Sequence, residues 1–276
     1  MFFHINNIMR LNKNTIINDL KKTHLQDKAS FDNLYLWTKI LFKPSIYLSW
    51  IFITLGISAN QVTWFSIFLA FIGCILIASG DHQLSIFGIL LINIWYLLDC
   101  VDGHIARYSK TSSNYGAFID NLGAILLYAF IYIAIGFNLY LSPDLSAEKF
   151  INSFLFTFFN FKITLDIFLF IIFGFVASFS TILRMLVSHS FNAQFSNNIS
   201  NDGEHKIKSD GFLKTLFFWT KQNIFEFSGF LLPLLLVMFL LDLTSIYLVI
   251  LMLWSIFELI VGVTLTIFSS FTYRGR

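Results

Sequence analysis

Asp99 and Asp102 stand three residues apart at the end of an apolar run long enough to cross a bilayer, and Asp120 opens the next apolar run. A three-residue spacing sets two side chains side by side on one helix face. Carboxylates at membrane depth are costly, so they are rare unless they pair, hold a cation or line a wet cavity. Three of them converging from two helices offer an all-oxygen ligand set that suits a hard divalent cation, Mg²⁺ or Mn²⁺. Gly103 follows Asp102 directly and Ala106 lies one turn on, so this helix face is nearly bare and a large ligand can approach the backbone. Arg107 adds a planar guanidinium suited to phosphate or pyrophosphate. Together these residues predict a metal–diphosphate site at the membrane surface.

The stretch that carries them, DCVDGHIARYSKTSSNYGAFIDNLGA over residues 99–124, resembles the signature of the class I CDP-alcohol phosphatidyltransferase family. That signature reads D-x-x-D-G-x-x-A-R, eight residues, then G-x-x-x-D-x-x-x-D. Asp99, Asp102, Gly103, Ala106, Arg107, Gly116 and Asp120 match it in identity and spacing, and Ala124 stands where the family has its last Asp.

The resemblance implies a transfer reaction. A CDP-linked alcohol such as CDP-diacylglycerol gives up its phosphoalcohol, here a phosphatidyl group, to the hydroxyl of an alcohol acceptor, and CMP leaves. It implies that Asp99, Asp102 and Asp120 hold Mg²⁺ or Mn²⁺, and that Gly103, Ala106, Arg107 and Gly116 face the nucleotide. Asn60 and Thr63 fall where the family carries polar residues before its first spanning helix, near that nucleotide. It also implies a homodimer in a lipid membrane, engaged in phospholipid biosynthesis. In the family the last Asp ligates metal and acts as general base toward the acceptor hydroxyl. With Ala124 in its place, Asp120 is the remaining carboxylate on that helix stripe. Three explanations of Ala124 compete: a deliberate Asp-to-Ala replacement, a natural branch with modified chemistry, or a homologue that binds CDP-lipid without efficient transfer.

Two further titratable residues are candidates for a replacement base. His104 lies two residues from Asp102, about 200° around a helix, and is expected to point away from the acids. Glu258 falls within the last apolar run and is expected to face the interior of a helix bundle. Arg184, near the inner end of the fourth apolar run, reads either as a snorkelling anchor or as a cation for the acceptor or the lipid phosphate.

The elements that must position these residues follow from composition. Apolar residues make up 57% of the 276 and charged ones only 12%, about half the share in soluble domains, which excludes a soluble enzyme and a nucleic-acid-binding protein. The chain reads as an all-α polytopic membrane protein with six transmembrane helices and an N-terminal interfacial amphipathic helix. Residues 1–57 are expected to be a loosely helical cytosolic arm followed by the interfacial helix, where Trp37, Lys39, Lys43, Tyr47 and Trp50 interleave. Residues 58–276 are expected to be the catalytic membrane domain, with helices over 61–80, 84–107, 116–141, 163–188, 224–241 and 245–268. A polar link over 142–162 and a polar cytosolic insertion over about 189–223 interrupt it. Ser58 or Asn60 is placed to cap the first span. Cys74 and Cys100 sit in apolar helices and read as small buried hydrophobes rather than a disulfide. With the N-terminus inside, only Lys149 and Lys162 among the basic residues fall outside and Arg184 lies within a helix, which satisfies the positive-inside rule. That orientation turns the acids toward the cytosol, as expected for an enzyme of a bacterial inner membrane.

Overall fold

Three helix starts in this chain are set by short polar side chains that satisfy free backbone N–H groups of the first turn. The computed structural model describes residues 14–22, 36–160, 164–199 and 230–274. Among these, every regular element is a helix: α1 (14–22), α2 (Leu36–Thr54), α3 (Ala59–Ala78), α4 (His82–Ser109), α5 (Asn114–Leu141), α6 (Ser146–Phe159), α7 (Phe168–Ile199), α8 (Leu231–Leu240) and α9 (Thr244–Arg274). Ser58 caps α3 in a reciprocal box: its Oγ accepts from Gln61 N–H at 3.4 Å, and Gln61 Oε1 accepts from Ser58 N–H at 2.9 Å. Of the two cap candidates, Ser58 is therefore the one used. Asp81 caps α4 through Leu84 N–H at 2.8 Å, and Ser113 caps α5 through Gly116 N–H at 3.1 Å.

Five of these helices are long and apolar enough to cross a membrane: α3, α4, α5, α7 over Phe168–Phe191 and α9 over Thr244–Ile267. The sixth expected span, 224–241, begins outside the described residues, and its described part is the ten-residue apolar α8. Most of the expected insertion, 200–223, also lies outside them. Several boundaries differ from the sequence reading. The link over 142–162 contains α6, because SAEKFINSFLFTFF holds no helix breaker after Pro143. α7 runs on through Ile199, since the polar residues after Ser188 end hydrophobicity without ending helix propensity. The expected loop over 108–115 shrinks to four residues, 110–113.

That short turn fixes how the two acid-bearing helices meet. α4 ends with Lys110 in the left-handed region at φ 54°, and Thr111 N–H returns to Ala106 C=O at 3.0 Å. This is a Schellman-type closure on a residue other than glycine. It reverses the chain within one turn, so α4 and α5 form a helical hairpin.

The helices divide into two compact units. The first draws its described residues from Met1–Ile72, Leu90–Ala124 and Trp219–Pro233. In it Ile16, Ile17 and Leu20 of α1 pack with Phe42 and Ile46 of α2, and Leu20 is fully buried. α2 passes through Pro44 without ending, and Val62, Leu98, Val101 and Ile105 form a second cluster against which Leu48 and Phe52 pack. A Cβ on Gly123 would lie 2.8 Å from Ile67, so α5 approaches α3 at van der Waals limits.

The second unit takes Gly73–Ile89, Ile125–Phe218 and Leu234–Arg276. Here α5 and α7 meet through a reciprocal pair of glycines. A Cβ on Gly136 would lie 2.6 Å from Phe170 O, and one on Gly174 2.5 Å from Tyr132 O. Small residues that let backbones touch drive helix association in lipid, where apolar burial alone gains nothing. Asn138 donates to Ile77 O at 2.9 Å and to Ser85 Oγ at 2.8 Å, joining α3, α4 and α5. Asp144 accepts from Ser146 N–H at 3.1 Å, Ser245 N–H at 2.9 Å and the Ser245 hydroxyl, so one carboxylate ties the starts of α6 and α9. Cys74 is buried and Cys100 half-buried, and both are free thiols.

Candidate active site

The first unit brings the sequence-predicted acids together. Asp99 and Asp102 lie one turn apart on α4, and the hairpin folds Asp120 of α5 against them. One carboxylate oxygen from each lies within 4.8 Å of the others. Asp102 is buried, Asp99 half-buried and Asp120 exposed. Three negative groups at this distance repel strongly unless a cation or protons intervene. All donors are carboxylate oxygens, so the set fits a hard divalent cation. Asp102 Oδ2 accepts the Thr63 hydroxyl at 2.6 Å, which leaves further lone pairs of the carboxylate open to a cation.

Beside the acids a cavity of about 240 Å³ is lined by Asn60, Thr63, Asp102, Gly103, Ala106, Arg107, Gly116, Asp120 and the 111–113 turn. Every nucleotide-side residue named from the sequence is therefore around one space. Its floor is bare for two reasons. A Cβ on Gly116 would lie 3.3 Å from Asn60 Oδ1, and one on Gly103 would lie 3.2 Å from the Arg107 guanidinium. Glycine at both positions lets the polar groups close in without a side chain between them.

A second cavity of about 220 Å³ shares Asp102, Gly103, Arg107 and Asp120 with the first. Its other walls are Thr38, Phe42 and Ser45 of α2 with Asp99, Cys100 and His104 of α4. The Thr38 and Tyr96 hydroxyls are 2.6 Å apart and tie α2 to α4 near it. The sequence missed this second space, because its α2 wall lies some 60 positions away along the chain.

His104 is buried and borders the second cavity, whose lining also includes Asp99 and Asp102. Its Nε2 lies 3.0 Å from Ser45 Oγ and its Nδ1 3.4 Å from Arg107 Nη2. Ala124, one turn beyond Asp120, is half-buried and is not among the residues lining either cavity.

The remaining candidates belong to the second unit. Arg184 Nε lies 3.4 Å from Glu258 Oε2, with the side chains 21% and 10% exposed, so the cation and the acid form an ion pair within the helices. Gly262 leaves room for the Arg184 stem, since a Cβ there would lie 3.3 Å from its Cγ. The pairing gives Glu258 a partner and a structural role that the sequence did not reveal.

No curated protein matches the sequence. Residues 56–261 match the family model of the CDP-alcohol phosphatidyltransferases, a span that contains the whole acid cluster and both ends of the hairpin.

Proposed function

The chain belongs to the CDP-alcohol phosphatidyltransferase family, and from that premise we propose that it transfers a phosphatidyl group from CDP-diacylglycerol to an alcohol acceptor with release of CMP. The observation that carries this reading is the convergence of three carboxylates within 4.8 Å, two of which, Asp102 and Asp120, line both cavities. One cavity suits the nucleotide and the other an incoming hydroxyl.

Asp99, Asp102 and Asp120 would hold Mg²⁺ or Mn²⁺. Such a cation, when bound, draws charge from the diphosphate and from the departing phosphate. The chain's own residues do the rest. Asn60, Thr63, Gly103, Ala106 and Gly116 receive the nucleotide, and Arg107, at the wall between the cavities, neutralises phosphate oxygens. The acceptor oxygen forms a bond to the phosphorus of the transferred group. The bond from that phosphorus to the bridging oxygen breaks, and the oxygen leaves with CMP. The acceptor's proton goes to a carboxylate, and Asp120, the most exposed of the three and a neighbour of both cavities, is the one in reach. Arg184, paired with Glu258, serves as a cation for an acceptor or lipid phosphate.

Five apolar helices fit an integral membrane protein. The fuller arrangement we propose has six spans, α2 in the headgroup layer, the acid cluster facing the cytosol of a bacterial inner membrane, and two chains per assembly.

A second reading is favoured by one position. Ala124 removes the carboxylate that the family pattern supplies one turn after Asp120, so the chain would bind CDP-lipid and transfer slowly or not at all. General-base assistance is worth about 10² to 10⁴ in rate, which sets the expected deficit. CMP release from CDP-diacylglycerol across a panel of alcohols separates the two. Turnover above the Asp99→Asn background supports the enzyme, and ligand binding without turnover supports the binder.

A further inference from the structure

Arg107 stands at the end of a row of polar groups, Phe42 C=O, Ser45 Oγ and the His104 ring, whose hydrogen-bond directions follow from which of them can donate. Phe42 C=O can only accept, and the Ser45 hydroxyl donates to it at 2.9 Å. With its one proton used, Ser45 Oγ accepts from His104 Nε2–H at 3.0 Å. The other ring nitrogen, Nδ1, is then bare and accepts from Arg107 Nη2, 3.4 Å away, because a guanidinium has donors only. Ser45 is fully buried and His104 is 3% exposed. The His104 ring also packs edge-on against Phe42, with centroids 5.9 Å apart. The guanidinium itself lies over the bare face of Gly103 and borders both cavities.

We infer that His104 is a positioning residue for Arg107: a relay from the Phe42 carbonyl through Ser45 and His104 Nδ1 holds the guanidinium at the wall between the two cavities. The arrangement also ties α2 to the phosphate-binding arginine, so displacement of α2 would release Arg107 as well. The role in ligand binding rests on the proposed nucleotide site; the relay itself does not.

Two measurements on the full chain in lipid nanodiscs test it. In the ¹⁵N side-chain spectrum, His104 should be the Nε2–H tautomer, and its Nδ1 resonance should move in Arg107→Ala. An Nδ1–H tautomer, or a resonance indifferent to Arg107→Ala, overturns the relay. In calorimetric titration with CDP and Mn²⁺, His104→Phe keeps the ring volume and loses both bonds. It should weaken binding about tenfold. His104→Asn, whose Oδ1 restores an acceptor near the Nδ1 position, should bind more tightly than His104→Phe, whereas His104→Gln should not. In the Arg107→Ala background, His104→Phe should cause no further loss. An equal loss in both backgrounds shows that His104 acts independently of Arg107 and overturns the inference. If the unmodified chain does not bind CDP at all, the nucleotide reading falls, while the ¹⁵N spectrum still decides the relay.

Discussion

Thr63 Oγ1 lies 2.6 Å from Asp102 Oδ2, joining α3 to the buried member of the acid cluster across 39 positions of chain. The hydroxyl also reaches Ala59 O at 3.1 Å, but its single proton goes to the closer, charged acceptor. Thr63 thus orients a carboxylate that would otherwise rotate in its pocket. Outer partners of this kind typically contribute about 10- to 100-fold to metal affinity. Thr63→Val should lower Mn²⁺ affinity by that order in an electron paramagnetic resonance titration, and Thr63→Ser should retain it. Equal affinity in all three forms would remove Thr63 from the site.

Gly116 is closely approached by Asn60, whose Oδ1 would lie 3.3 Å from a Cβ placed there. Gly116→Val puts two further methyl groups toward the first cavity, the proposed nucleotide site. We expect CDP binding to weaken at least about tenfold, with a melting temperature close to that of the unmodified chain, because the position is half-exposed. A matching loss of thermal stability would mean that Gly116 serves helix packing instead.

Gly136 and Gly174 give the opposite signature. Either one changed to Val drives a side chain into backbone at about 2.5 Å, against Phe170 O or Tyr132 O. The cost expected for overpacking is about 1–3 kcal/mol, read as a lowered unfolding temperature in detergent. Since the two contacts are reciprocal, the double variant should lose less than the sum of the singles. Full additivity would argue that the two glycines are not one interface.

Gln83 and Ser109 sit at opposite ends of α4 and are both exposed. In a chain with Cys74 and Cys100 replaced by Ala, Gln83→Cys and Ser109→Cys should react with an impermeant thiol reagent from opposite sides of the membrane, Ser109→Cys from the cytosol. Labelling of both from one side would contradict a spanning α4.

What can be read from the sequence is whatever depends on spacing within a helix or across one tight turn. Asp99 and Asp102 share a face because helices repeat every 3.6 residues, and Asp120 joins them because polar residues between two apolar runs imply a hairpin. The cap of α3 is narrowed by sequence to Ser58 or Asn60, and the structure selects Ser58. The second cavity and the Ser45–His104–Arg107 relay are not legible there, since they arise where α2 meets α4, a contact between positions about 59 apart. A helical wheel turns His104 away from the acids because it knows only its own helix; the neighbouring α2 gives that far side a cavity and a partner. Helix α6 is hidden by Asp144, Glu148 and Lys149, which read as link residues. Asp144 in fact tethers Ser245, and Glu148 Oε2 accepts from Leu165 N–H at 3.4 Å.

The most direct test of the proposed transfer is CMP release from CDP-diacylglycerol by the unmodified chain and by Ala124→Asp, with Mg²⁺ or Mn²⁺ and a panel of alcohols. Position 124 lies one turn from Asp120 on α5, where a carboxylate could reach toward the cluster that a methyl group does not. The expected result is slow, divalent-dependent release by the unmodified chain, abolished by Asp99→Asn, and a rise of about 10² to 10⁴ in Ala124→Asp. Release that ignores both the cation and Asp99→Asn, or no release from either form, would contradict it.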